Sequence, residues 1–305
     1  REGKEWCEKQ DDVHLNIPSW LLDHWIKDYN LKGAAEIAQA SLSEAATDIT
    51  VKDPKKCDYW AGELEATILP TGSLRLASAG NIADLSGFED GQWWVQDAAA
   101  ALPAKLLGDI QGKTVIDLCA APGGKTAQLA AAGANVIALD RSAKRLEKLK
   151  ENMERLKLAP QVEVQAGDGA VWQPSELVDA VLLDAPCTAT GTIRRHPDVM
   201  HLKGQKDILQ LCDVQARLLE NAAKMLKSGG TLIYCTCSLQ KAEGEQQVNS
   251  FLLNHPEFTR KPIKADEIGG VEEAVTDDGD LRVLPYHLAP QGGIDGFYVA
   301  RLTKS

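Results

Sequence analysis

The chain has 305 residues, of which 44% are hydrophobic and 25% are charged. This length suggests two domains or one large α/β domain with an appendage, and the composition excludes a wholly disordered or collagen-like chain. No apolar run reaches the roughly 18 residues of a membrane-spanning helix. The net charge of −11 argues against an unusually basic nucleic-acid binder, although local clusters of Lys and Arg can still bind RNA.

The start of the chain and its cysteines indicate a cytoplasmic protein. The chain begins at Arg1, without a Met and without a basic and then apolar leader. We therefore expect a fragment or processed chain that lacks an upstream portion and has no signal peptide. The seven cysteines, from Cys7 onwards, are scattered and include no C-x-x-C pair. They are expected to be free thiols, each either buried filler or a reactive group.

Residues 1–90 are predicted to form a small unit of mixed α and β structure. Apolar spacing predicts first two helices and then two strands, at residues 20–26, 34–40, 47–51 and 73–76. The acidic segment 86–91 contains two glycines and predicts a turn. We place the domain boundary beside it, between residues 90 and 91.

Residues 91–305 alternate regularly between strands and helices from Thr114 onwards. Apolar runs predict five strands, at residues 114–118, 135–139, 162–166, 178–183 and 231–235. Ser142 can cap one intervening helix, and a longer helix is predicted over roughly residues 205–226. This alternation predicts a largely parallel sheet covered on both faces, with its ligand beyond the carboxyl ends of the strands.

The segment 119–126, with the sequence CAAPGGKT, follows the first of these strands and opens a helix. A P-loop would need Gly at the position of Cys119, and no G-x-G-x-x-G is present. Small residues here would let the backbone approach an adenosine-type ligand, whose carboxylate the helix N-terminus would stabilise. Asp140 could then bind ribose hydroxyls and Asp168 an adenine edge. The alternative is a tight turn beside two ordinary solvated acids.

Two cysteines follow the next two strands. Cys187 ends the sequence DAPC, which starts at Asp184 after the fourth strand, and Cys237 is the centre of TCS after the fifth. Both should lie at the same side of the sheet as the glycine-containing loop. A thiolate is a strong nucleophile, so two thiols and an acid at one pocket suggest covalent chemistry. Redox exchange and metal binding are less favoured, because no His partner lies nearby in sequence.

These three motifs resemble the signatures of the RNA cytosine-5 methyltransferases of the Nop/Sun type. The motifs are DLCAAPGGKT at 117–126, DAPC at 184–187 and TCS at 236–238, and the resemblance covers most of residues 15–303. It implies an α/β fold, in which a Rossmann-like class I S-adenosylmethionine-dependent methyltransferase domain has a mostly parallel seven-stranded sheet. Residues 1–90 would be a small N-terminal α/β, RRM-like appendage that helps to dock RNA.

Within that family, residues 190–198 are most similar to the bacterial group that methylates 16S rRNA. Members of this group usually carry an N-terminal NusB-like helical domain, which residues 1–305 lack. The resemblance therefore implies a methyl transfer from S-adenosylmethionine to carbon 5 of a cytosine in RNA, with 16S rRNA as the expected partner. No metal is expected, and a cytoplasmic monomer without membrane contact is the default expectation.

The resemblance also implies roles for individual residues. Cys237 would be the nucleophile that adds to carbon 6 of cytosine, Cys187 would act in the release step, and Asp184 would bind the polar edge of the base. Lys125 would contact either the base or the cofactor. The S-adenosylmethionine site would consist of Cys119, Ala120, Ala121, Pro122, Gly123, Gly124, Lys125, Asp140, Arg145, Asp168 and Asp184. Arg194 and Arg195, beside the catalytic loop, would contact RNA.

Other functions are compatible with part of these features. The substrate could be tRNA or another RNA, and the chain could be a P-loop nucleotide hydrolase or a non-catalytic RNA-binding assembly factor. A DNA cytosine methyltransferase would use Cys187 as its nucleophile. The Thr236-Cys237 pair argues against the DNA enzyme, and the presence of both thiols argues against a scaffold without turnover.

Overall fold

The N-terminal helices, a small sheet and a large sheet follow one another along the chain. In the computed structural model, residues 12–78 and 80–305 are described, so Cys7 lies outside the described residues. The helices of this part are α1 (Asp12–Asn16), α2 (Ser19–Ser41), α3 (Cys57–Glu63), α4 (Leu102–Lys105), α5 (Gly124–Ala131), α6 (Ala143–Arg155), α7 (Val199–Leu202), α8 (Gln205–Lys224) and α9 (Glu245–Asn254). Among them, none is long and apolar enough to cross a membrane.

Helix α2 contains the two predicted helical segments in one element with a kink. Asn30 breaks the helical geometry with φ 60° and ψ 176°. Its side-chain oxygen accepts hydrogen bonds from the backbone N–H groups of Lys32 and Gly33, so it caps the second segment. The buried face of α2 packs against Leu239, which lies two residues after Cys237. Helix α2 therefore supports the loop that carries that cysteine.

The small sheet consists of β1 (Asp48–Val51), β2 (Ala66–Ile68), β3 (Leu74–Leu76) and β4 (Trp93–Val95). Its order is β2-β3-β1-β4, and all neighbouring pairs are antiparallel. Helix α3 connects β1 to β2, so the unit mixes α and β structure as expected. Because β4 pairs with β1, the sheet reaches past residue 90. The division at 90/91 and the RRM-like character of the unit stay predictions.

The large sheet carries the strands that the sequence pattern predicted. Its members are β5 (Thr114–Leu118), β6 (Asn135–Asp140), β7 (Val162–Ala166), β8 (Val178–Asp184), β9 (Leu226–Thr236), β10 (Phe258–Arg260), β11 (Leu281–Val283) and β12 (Phe297–Lys304). The order is β10-β12-β9-β8-β5-β6-β7, and β11 pairs with β12 beside this row. Strands β5 to β9 are parallel, and β12 runs antiparallel to β9. The prediction of a mostly parallel sheet is confirmed, with β11 as a short addition to the seven ordered strands.

Helices cover both faces of this sheet because successive side chains of each strand point to opposite sides. Val115 of β5 packs in the core under α5 and α6, where Leu129 and Leu149 lie. Its neighbour Ile116 packs in the second core with Leu218 of α8. The strand order reverses between β5 and β8, which is the position where open α/β sheets bind ligands at their carboxyl ends.

Candidate active site

Cys187 and Cys237 come together because β8 and β9 are parallel neighbours in the sheet. Asp184, at the end of β8, lies opposite Cys235 in the register, and the N–H of Ala185 donates to the carbonyl of Cys235 at 2.9 Å. The two chains then leave the sheet side by side. The sulfur atoms of Cys187 and Cys237 lie 3.5 Å apart, although 50 residues separate them in sequence.

The two thiols differ in their electrostatic surroundings. The hydrogen bond to Cys237 and burial both raise the pKa of Cys187 well above its ordinary value. Cys187 therefore keeps its proton at neutral pH. Because the thiolate is the nucleophilic form of cysteine, Cys187 is held in its unreactive form in the free protein.

Lys125 and Asp184 form the charged part of the site beside these thiols. The Lys125 Nζ atom lies 2.8 Å from Oδ2 of Asp184 and 5.1 Å from the centre of the Phe297 ring. Burial lowers the pKa of Lys125, but the acidic groups around it, Asp184 foremost, together outweigh burial, and the net shift is upward. The ammonium group therefore stays charged and orients the Asp184 carboxylate.

A third cysteine, Cys235, lies behind the site and is fully buried. Its sulfur is 3.6 Å from Oδ1 of Asp184. Burial, followed by the Asp184 charge, raises its pKa well above the ordinary value. Cys235 is therefore held as an unreactive thiol, whereas Cys187 and Cys237 are both partly exposed.

The loop between β5 and α5 is shaped by residues in the left-handed region. Cys119 has φ 63° and Gly123 has φ 106°. A Cβ atom on Gly123 would lie 2.9 Å from Cγ of Leu149, so glycine is required there for both space and backbone conformation. Burial, with the nearby Asp184 charge, raises the pKa of Cys119 to about 12, so this thiol has a packing role.

Asp140 connects this loop to the end of β6. Its Oδ2 accepts from the N–H of Ala121 at 3.1 Å, and its Oδ1 accepts from the N–H of Ser142 at 2.8 Å. The Arg145 guanidinium donates to the carbonyl of Ala121 and lies 3.6 Å from Oδ2 of Asp140. Asp168 follows β7 with an exposed side chain, whose Oδ1 accepts from the N–H of Ala170 at 3.0 Å. The acids predicted for the cofactor site therefore follow adjacent parallel strands.

Asp117 of β5 lies beneath the loop and is fully buried. Its Oδ2 accepts from the hydroxyl of Thr126 at 2.6 Å, whereas its Oδ1 has no hydrogen-bond partner among the described residues. Burial raises the pKa of Asp117 to about 7, and the Asp184 charge adds to this shift. The sequence motif contains Asp117, but its side chain was not expected to belong to the site.

These residues fit an adenosine-containing ligand that carries a carboxylate. Helix α5 begins at Gly124 without a capping side chain in the described structure, so its first N–H groups are available to an anion. Asp140 and Asp168 offer acceptor oxygens for hydroxyl and amino groups. Among residues 12–78 and 80–305, no group of three or more His, Cys, Asp or Glu side chains is arranged to hold a metal ion.

The two arginines predicted to contact RNA have partners within the protein. Arg194 is 8% exposed and donates to the carbonyl of Gly292 at 2.6 Å. Arg195 bridges two buried acids, with its Nε 2.9 Å from Asp295 and its Nη2 2.6 Å from Asp97. Arg195 therefore joins Asp97, which follows β4, to Asp295 of the catalytic domain, whereas Arg194 binds within that domain. The expectation that these two arginines contact RNA stays a prediction, and for Arg195 two acids from distant parts of the chain already neutralise the charge.

Glu243 and Gln215 are site residues that the sequence analysis missed. Glu243 is fully buried and contacts the residues that follow Cys187 and Cys237. Its only sequence signal is an acid six positions after Cys237, which many loops would show. The side chain of Gln215 reaches the site from α8, and nothing in the apolar pattern of that helix marks it.

The fold and these strand-end motifs define a methyltransferase domain of the Rossmann-like type. The solved structure of PH0851 superposes with a TM-score of 0.85 and 30% identity, covering 99% of this chain and 68% of that one. A methyltransferase homolog protein from Pyrococcus horikoshii has a TM-score of 0.79 at 24% identity, covering 96% of this chain and 97% of that one, which supports the fold.

Comparison of the amino-acid sequence with known proteins shows the family. The family model described as 16S rRNA methyltransferase RsmB/F matches residues 104–303. The ribosomal RNA small subunit methyltransferase B of Serratia proteamaculans is 41% identical over 237 residues, which cover 76% of this chain and 52% of that protein. The chain belongs to the RsmB/F family of 16S rRNA methyltransferases, and the resemblance to that family is confirmed. It spans about half the length of the curated relatives that it matches.

Proposed function

We propose that this chain transfers a methyl group from S-adenosylmethionine to carbon 5 of a cytosine in 16S rRNA. The observation that carries the proposal is the 3.5 Å separation of the Cys187 and Cys237 sulfurs, next to the Lys125–Asp184 pair. Carbon 5 and carbon 6 of cytosine are adjacent ring atoms. Two sulfurs in contact can therefore act on the same base, one at carbon 6 and the other at the proton of carbon 5. Family membership supports 16S rRNA as the substrate.

The loop 119–124, Asp140, Arg145 and Asp168 would hold S-adenosylmethionine. When bound, this cofactor supplies an electrophilic methyl group. The Gly123 turn lets the backbone approach the ligand, and the uncapped start of α5 suits its carboxylate. Lys125 contributes through Asp184, with which it pairs.

Cys237 would start the reaction as a thiolate that adds to carbon 6 of the cytosine. This addition makes carbon 5 electron-rich, which prepares it to take the methyl group. Asp184 would bind the polar edge of the ring and offset the charge that develops there. The proton on carbon 5 must then leave, after which the sulfur–carbon bond breaks by elimination and Cys237 returns as a thiolate.

Cys187 would take the proton from carbon 5. Its hydrogen bond to Cys237 is the largest cause of its raised pKa, with burial second. Once Cys237 is bonded to carbon 6, its sulfur is a weaker acceptor, so Cys187 would lose its own proton to water more easily, and the resulting thiolate could then take the proton from carbon 5. Adduct formation would therefore prepare Cys187 as the base for the release step.

The proposal is tested by trapping the covalent intermediate. Cys187→Ala protein is mixed with S-adenosylmethionine and 16S rRNA, and a denaturant-resistant protein–RNA band is sought. We expect a band that disappears in the Cys187→Ala, Cys237→Ala double variant and persists when Cys235→Ala is the second change. The same amount of transfer RNA by mass, in a separate reaction, serves as the alternative substrate.

Each outcome decides one part of the proposal. A band that forms with a Cys237→Ala single variant, and not with Cys187→Ala, would reverse the roles of the two thiols. A band with transfer RNA and none with 16S rRNA would change the substrate. Methyl transfer by the wild type without any band in either variant would remove the assigned release role of Cys187.

A further inference from the structure

Glu243 joins the two loops that carry the thiols. It lies in the 3-10 turn Lys241–Glu243 after β9, and its side chain is fully buried. One carboxylate oxygen, Oε1, accepts from the N–H of Thr188 at 2.9 Å and from Nε2 of Gln215 at 3.0 Å. The other, Oε2, accepts from the hydroxyls of Ser238, at 2.6 Å, and of Thr188. Thr188 follows Cys187, and Ser238 follows Cys237.

We propose that Glu243 is a positioning residue that holds the Cys187 and Cys237 loops against each other. Its bonds reach the neighbours of both cysteines, so it acts through the two loops. The catalytic consequence rests on the proposed function. The effect of Glu243 on the distance between the two sulfurs is independent of the proposed function, because it concerns the protein alone.

Further contacts make this connection rigid. The amide of Gln215 that binds Glu243 also donates to the carbonyl of Pro186 at 2.9 Å, so one side chain holds the chain on both sides of Cys187. The backbone carbonyl of Glu243 accepts from the hydroxyl of Tyr234 at 2.8 Å. The backbone of Glu243 is therefore held to β9, and its carboxylate extends from this fixed point to the two loops.

Chemistry explains why an acid is present at this position. Four donors converge on one buried group, and a carboxylate is the side chain that accepts without donating. An alanine would leave four buried donors, a backbone N–H, an amide and two hydroxyls, without their acceptor. A glutamine could keep its carbonyl towards Thr188 and Gln215, and the two hydroxyls could turn to accept from its NH₂ group.

The first test measures the distance between the thiols without RNA or cofactor. Diamide, an azo oxidant, converts two neighbouring thiols to a disulfide and is itself reduced to the hydrazine by the two hydrogens removed. The rate of the Cys187–Cys237 cross-link is followed by peptide mass spectrometry. We expect Glu243→Ala to slow it by about tenfold or more and Glu243→Gln to stay within about threefold of wild type.

The matched control is another buried acid. Asp280 is 1% exposed and accepts from the hydroxyl of Tyr298 at 2.6 Å. Asp280→Asn should lower stability without changing the cross-linking rate. Unchanged cross-linking in a folded Glu243→Ala protein, or an equal loss in Asp280→Asn, would overturn the proposal.

A second pair of variants covers the case in which Glu243→Ala does not fold. Ser238→Ala and Thr188→Val each remove one hydroxyl donor and keep the carboxylate. Each variant should slow cross-linking. With RNA, Ser238→Ala should slow adduct formation by Cys237, and Thr188→Val should make the adduct persist because Cys187 acts in release. KM for S-adenosylmethionine should change little, because the cofactor loop is untouched. Cross-linking at the wild-type rate in both variants would contradict the proposal. Failure of the wild type to methylate a cytosine of 16S rRNA would contradict only the proposed function.

Discussion

Lys125 and Asp184 face each other across the site, with Nζ of the lysine 2.8 Å from Oδ2 of the aspartate. Lys125 lies in the first turn of α5, directly after the glycine-containing loop, and Asp184 ends β8. The ion pair therefore connects the loop of the proposed cofactor site to the acid proposed to bind the cytosine. We therefore expect the lysine to act on the base through Asp184.

Lys125→Met should lower kcat for methyl transfer by about 10- to 100-fold, because Asp184 would lose the group that orients it. The dissociation constant for S-adenosylmethionine should stay within about threefold of wild type. Radiolabelled methyl transfer and calorimetric titration measure the two quantities, with the exposed Lys113→Met as control. A large rise in the dissociation constant at unchanged kcat would instead assign Lys125 to the cofactor.

Asp117 predicts a pH dependence of stability. Burial raises its folded-state pKa to about 7 from an ordinary value of 3.8, so the folded state binds the proton more tightly than the unfolded state. The protonated acid contributes fully to the free energy of unfolding below the unfolded-state pKa of 3.8. This contribution is lost as the pH rises through the folded-state pKa of about 7, by at most about 1.4 kcal/mol per pH unit.

Asp117→Asn imitates the protonated acid and should remove this dependence. Urea unfolding at about pH 5 and pH 8 should show a smaller loss of stability in the variant than in wild type. The exposed Asp213→Asn provides the comparison. Equal losses in wild type and Asp117→Asn would mean that Asp117 is ionised in the folded protein throughout this range.

Gly191 allows the loop that follows Cys187 to contact Gly296, the residue before β12. Its N–H donates to the carbonyl of Cys237 at 2.9 Å, and a Cβ atom on it would lie 2.0 Å from the carbonyl oxygen of Gly296. Gly191→Ala should therefore destabilise the protein by about 1–3 kcal/mol or more, since the clash is with backbone. Gly62→Ala is the control, because its Cβ would meet nothing within 4 Å and it lies in helix α3. Denaturant unfolding of both variants gives the comparison, and equal stabilities would refute the steric explanation.

Arg195 predicts a structural effect in place of a phosphate contact. Arg195→Met leaves Asp97 and Asp295 buried without their cation, so the free energy of unfolding should fall by about 3–5 kcal/mol. The exposed Arg217→Met should change it little. The salt dependence of RNA binding separates the two roles, because loss of a phosphate contact would lower the slope by about 1. A lower slope with unchanged stability would instead support the RNA-binding role.

Local sequence pattern was sufficient to predict the main elements of the catalytic domain. Apolar alternation located β5 to β8 within a residue, and Ser142 caps α6 as expected, accepting from the N–H of Arg145. Strand β9 begins five residues before its predicted start, at Leu226, because Gly229, with φ 76°, lets the chain continue through an irregular pairing with β8. Glycine there resembles a turn in sequence, and only pairing with a neighbour makes the segment a strand.

The amino-acid sequence by itself determined which residue types follow which strands, and thereby the family, the two thiols and the acids of the site. Those features depend on side-chain period and on motif spacing, which are local. Tertiary structure decided which residues meet. The β8–β9 register brings the sulfurs of Cys187 and Cys237 to 3.5 Å, and packing of distant segments buries Arg195 against Asp97 and Asp295. It also places Glu243 between the two loops. The contacts between the two thiols and between Glu243 and Thr188 join residues 50 or more positions apart, so they follow from strand order and packing, which no short stretch of sequence contains.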